Sequence, residues 1–182
     1  TEPYPFFEKY WKENTLVVEE GVVKDFIAKK YCKHIDEMHS SLDMTEFEWK
    51  GVRNEYFNLI ANIFKDHEWP EGKYLVYPTI WGMYPRFLKD KTFQIPFKEK
   101  SKAFIMVTMA HEMLHFMFYD YLFCKKPELN TEKNQMLVWH TSEIFNTVVQ
   151  NSQTWQDVFK EKTFGYPDHE DIVEKVAKKY SD

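Results

Sequence analysis

The sequence predicts an α+β fold, mostly helical, with one small irregular sheet near the middle of the chain. Three observations carry this. Apolar residues recur at helical spacing through the first seventy positions, two short segments at 73–81 and 92–96 are rich in β-branched and aromatic residues, and helical spacing then returns over a long stretch. The order of helices, then strands, then helices separates this arrangement from an alternating α/β chain. Within one domain over 1–182, the sequence divides into a helical part (1–72), a core (73–151) and a helical tail (152–182).

In the first part, Val22 to Met38 carries apolar residues at 22, 23, 26, 27, 31 and 35. Thr45 with Glu48 has the form of a capping box, so a second helix is expected to start there, with Phe47, Val52, Tyr56, Leu59, Ile60, Ile63 and Phe64 on one face. Trp69-Pro70-Glu71-Gly72 is expected to end it. Lys73 to Trp81 and Thr92 to Pro96 follow as strands, and prolines 78, 85 and 96 confine them to edges or strand ends. A long helix is expected from about Lys100 to Cys124, stopped by Pro127. Asn130 or Thr131 can cap the next helix, which runs to about Asn151. Gly165, Pro167 and Asp168 punctuate the tail before a last helix ending near Lys179, whose early acids and late lysines suit the helix dipole.

Composition narrows the function. The 182 residues include 6 Trp, 11 Tyr and 16 Phe, enough for a sizeable aromatic core. A net charge of -5 argues against a nucleic-acid partner, which would need a basic face. The most apolar run, Ala103 to Cys124, is interrupted by His111, Glu112, His115 and Asp120, which would be costly in lipid, so it reads as a buried helix and no membrane span is expected. The two cysteines, Cys32 and Cys124, are too few for a disulfide framework and read as free thiols of a cytoplasmic protein; because position 1 is Thr, a trimmed secretion signal leaves export open.

Residues 111–115 read His-Glu-Met-Leu-His. On a helix, positions i and i+4 share one face about 6 Å apart, so His111 and His115 can take two corners of a tetrahedral zinc site. Glu112 projects about 100° away around the helix, suited to a water beside the metal rather than to the metal itself. The string alone arises by chance about three times per hundred chains of this composition, so its setting matters. It lies inside an apolar helix, where unpartnered ionisable groups would be costly.

The motif and its surroundings resemble the zincin metallopeptidases, over roughly Lys73 to Asn151. The resemblance implies a small sheet ahead of the metal-binding helix, with Thr92–Pro96 as the strand rimming the substrate cleft. In metzincins a third histidine follows the second by six residues, after a glycine; here those positions are Tyr121 and Phe118, which excludes that class. Asp120 is one residue off and faces the wrong side of the helix. In gluzincins the third ligand is a glutamate on a later helix. Glu143, twenty-eight residues after His115, fits that pattern, and the compact chain resembles the minimal members called minigluzincins. Many gluzincins carry an acid four residues after this glutamate; here it is Thr147, so a different partner, such as Asn146 or a backbone carbonyl, must orient a metal-binding histidine.

His140 is the rival third ligand, or an oxyanion stabiliser; Tyr84, Tyr119 and Tyr166 are equal candidates for that second role. Leu137, Val138, Ile144, Phe145, Val148 and Val149 form an apolar arc with Glu143 nearly opposite, so Glu143 faces either a cleft or solvent. The resemblance implies a zinc-dependent peptidase acting on a peptide or protein substrate, with Glu112 as general base. The alternatives are a metal-binding domain that regulates or interacts without proteolysis, and a non-peptidase hydrolase using another metal. The aromatic segment Tyr4–Trp11 is expected to pack on the core, or to plug the cleft. His34, His39, His67 and His169 lack ligand spacing.

Overall fold

A computed structural model describes residues 20–65, 67–98 and 102–180; the expected packing of Tyr4–Trp11 lies outside them. The described chain is mostly helical, with a three-stranded mixed sheet, an α+β arrangement. Helix α1 (Glu20–Phe64) is one continuous rod. Thr45 does not start a second helix: its hydroxyl donates to the Ser41 carbonyl one turn back, 2.7 Å away, so the apparent capping box is interior. The rod ends at Phe64, six residues before Pro70, where Lys65 turns into the left-handed region at φ 55°. Its C-terminal half joins the main core cluster through Tyr56, Leu59, Ile60 and Phe64, while in its N-terminal half Met38 is buried and Phe26 and Ile35 are exposed.

Strand β1 (Leu75–Thr79) runs parallel to β3 (Thr92–Pro96), and β2 (Arg86–Phe87) pairs antiparallel on the far side of β3. Pro78 therefore sits on an edge strand and Pro96 at a strand end, where a missing N–H is tolerated. Because β3 is the central strand, it cannot be the free rim expected of it. The exposed edge toward the cleft belongs to β2 and the segment leading into it. The reason is the two-residue length of β2, too short to register as a strand in sequence.

Helix α2 (Lys102–Lys125) packs on the sheet and on α1, and Pro127 opens a 3₁₀ turn just past its end. Thr131, in extended conformation, precedes a 3₁₀ turn (Glu132–Asn134) that leads into α3 (Gln135–Gln150). A short helix unforeseen in sequence, α4 (Gln153–Phe159), follows, its first turn capped by Ser152. After a 3₁₀ turn at Pro167–His169, α5 (Glu170–Tyr180) closes the described chain. No helix among the described residues is long and apolar enough to cross a membrane, and Cys32 and Cys124 are exposed free thiols.

Helix α4 exists to deliver Trp155, which is fully buried. Its ring stacks at 4.5 Å from Phe159 and meets the edge of Tyr56 at 6.0 Å. Tyr56 in turn donates its hydroxyl to the Ala110 carbonyl at 3.0 Å, one residue before His111. Burial pushes the Tyr56 hydroxyl well above its usual pKa, so it remains a donor. Trp155→Ala should therefore cost about 3–5 kcal/mol of unfolding free energy, read from the urea midpoint.

Candidate metal centre

Successive turns of α2 place His111 and His115 on one face, with ring centroids 4.6 Å apart. Their Nε2 atoms stand 3.0 Å apart. From α3, Glu143 reaches across with Oε2 at 3.5 Å from His111 Nε2 and Oε1 at 3.4 Å from His115 Nε2. Four donors around a zinc ion at about 2.1 Å stand about 3.4 Å from one another, so these spacings fit a tetrahedral site with one corner open. Among the described residues these three side chains form the one group of His, Cys, Asp or Glu able to hold a metal ion.

Tautomers agree with that use. His111 Nδ1 lies 2.9 Å from the Gln150 amide oxygen, which can only accept, so Nδ1 carries a proton and Nε2 is the ring atom turned toward Glu143. His115 is completely buried; burial, reinforced by the nearby Arg86 charge, holds its imidazole well below the usual pKa and therefore neutral. Burial also works to lower His111, but the hydrogen bond to Glu143 and the charges of Glu112 and Glu143 outweigh it and leave it raised. Burial alone would raise Glu143; the His115 and His111 rings facing it overcome that and keep it an ionised carboxylate. Two imidazole nitrogens and a carboxylate that converge in this way are a donor set for a divalent cation, which would displace the protons between them, and the residues fit one.

Glu143 is thus no solvated residue: it is 5% exposed. Val138 and Val149 of the expected apolar arc are buried and Phe145 packs on the core, but Leu137 is exposed, and most of the buried residues of α3 are polar: Ser142, Glu143, Asn146, Thr147 and Gln150. His140 stands apart from the donor group, with Nδ1 2.7 Å from His169 Nε2. Asn146 does orient the motif, but through the backbone, donating to the His111 carbonyl at 3.1 Å. Asp120 faces away, 2.8 Å from His67.

Glu112 is buried beside the donors, and burial raises its carboxyl above the usual range although Arg86 and His111 pull the other way. Arg86, on β2, bridges the two acids: Nη1 is 3.2 Å from Glu112 Oε2, and Nη2 is 3.3 Å from Glu143 Oε1. A lone arginine in a Tyr-Pro-Arg-Phe string carries no spacing signal, so sequence reasoning missed it; Gln150 was missed likewise. Gln150 sits two helical turns after Glu143, on the same face of α3, and that is the one signal that pointed to it.

Arg86, His111, Glu112, Glu143 and Gln150 line a cavity of about 750 Å³ walled further by Gly82–Tyr84, Phe104, Trp139 and the 163–167 loop. Gly165 lets that loop lie on α3, since a β-carbon there would come within 2.8 Å of Thr147 Oγ1. Tyr84 and Tyr166 line the cavity; Tyr119 and His140 do not. Comparison with protein-family models, curated proteins and solved structures finds no match to this chain. Gln150→Leu should weaken zinc binding about 10–100-fold, measured by competition with a chromophoric chelator, because it frees the His111 ring to change tautomer.

Proposed function

We propose that the chain is a zinc-dependent metallopeptidase of the gluzincin type, with His111, His115 and Glu143 holding the ion and Glu112 as general base. One observation carries this reading: two imidazoles and a carboxylate converge at 3.0–3.5 Å beside a cleft that His111 and Glu143 line and that also holds a buried glutamate with raised proton affinity. When bound, zinc lowers the pKa of a water from about 16 toward about 7 and polarises a carbonyl oxygen. Glu112, held at Oε2 by Arg86, takes a proton on its other oxygen and passes it to the leaving amine. Tyr166, its hydroxyl pushed up to about 12 by burial and the Glu143 charge, stays protonated at neutral pH and can donate to a developing oxyanion. An extended peptide can align along the β2 edge by main-chain hydrogen bonds. The exposed free thiols suit the reducing cytoplasm.

The test is metal analysis of the unchelated protein together with hydrolysis of a broad peptide library. One zinc per chain and chelator-sensitive cleavage are expected. A protein that takes up no zinc would remove the reading altogether. The Arg86–Glu112 ion pair favours a second reading, a zinc-binding module that does not cleave, because it engages the would-be base. Zinc uptake without cleavage of any library member selects that one.

A further inference from the structure

Arg86 is 3% exposed, and its fork is divided between two carboxylates of different use, one a metal donor and one the neighbouring base. The Arg86, Glu112 and Glu143 charges sum to one negative. A buried carboxylate needs a cation or a hydrogen-bond donor nearby, and Arg86 supplies both to each acid. A divalent ion among His111, His115 and Glu143 would bring the sum to one positive, so Arg86 and the ion compete for the same negative charge.

We propose that Arg86 is a built-in counter-cation: a positioning residue that keeps the donor group assembled without metal and lowers its affinity for a divalent ion. The inference rests on the metal-site reading above. Its sign is diagnostic. If Arg86 merely shaped the site, removing it would loosen the donors and weaken binding. As a competing charge, its removal leaves Glu112 and Glu143 uncompensated until the ion arrives, so binding tightens.

The experiment is zinc affinity by chelator competition, with thermal unfolding of chelator-treated and zinc-loaded protein, for wild type, Arg86→Met, Arg86→Gln and Arg86→Lys. The Met and Gln variants are expected to bind zinc at least tenfold tighter than wild type. Their melting temperatures without metal should fall, and the zinc-induced rise should exceed that of wild type. Arg86→Lys, which restores the charge, should lie within threefold of wild-type affinity. Equal or weaker zinc binding by the neutral variants overturns the proposal. If Arg86→Met does not fold with or without zinc, the Gln variant decides by the same criterion. Absence of peptide cleavage by a zinc-loaded wild type sinks the peptidase reading alone, whereas unchanged affinity in the neutral variants sinks this one alone.

Discussion

Glu112→Gln is expected to lower kcat by about 10²–10⁴-fold while the zinc content stays at one per chain. The change removes a single ionisable group and keeps the volume. The amide oxygen still accepts from Arg86 Nη1, which stands 3.2 Å from the carboxylate in the wild type, so the β2 contact survives. His111, His115 and Glu143 are unaltered, and none of their separations depends on Glu112. What disappears is a carboxylate whose burial has raised its proton affinity toward the working range of a base. Peptide cleavage rates measured beside metal analysis check both halves, and comparable turnover by the variant would take Glu112 out of the mechanism.

The second large effect concerns Glu143. Glu143→Ala should reduce zinc affinity by more than the 10–100-fold expected of an outer residue such as Gln150, because a direct donor is lost. His140→Ala, three residues away on the same helix, should bind zinc as the wild type does, since its ring pairs with His169 outside the donor group. Metal content of both variants after dialysis reads the contrast. Zinc lost from His140→Ala and kept by Glu143→Ala would reverse the ligand assignment.

These residues are unevenly legible in the sequence, for physical reasons. Helical spacing is local, so α2 and the partnership of His111 with His115 were readable from five consecutive letters. The strands Leu75–Thr79 and Thr92–Pro96 were readable from β-branched and aromatic content. What failed were features that depend on the whole fold. Thr45 looked like a helix start because a threonine three residues before a glutamate is locally ambiguous, and the long rod was fixed by packing further on. The apolar arc of α3 is legible through Val138 and Val149, but the burial of its polar side is not, because Asn146 and Gln150 are held by hydrogen bonds to α2 that no periodicity of apolar residues can announce. Arg86 was invisible because its partners lie 26 and 57 residues away.

The bond from Tyr56 to the Ala110 carbonyl has a wider consequence. It joins the long N-terminal rod to the turn of α2 that bears His111, and the Trp155–Phe159 stack presses on the same tyrosine from the other end of the chain. His111 already faces the cleft, whereas exposing the fully buried His115 requires disrupting this packed part of the molecule. The opposite wall, from Thr163 to Pro167, rests on α3 with Phe164 almost wholly in water. Any widening of the cleft to admit a bulky guest falls to that wall, leaving the floor fixed.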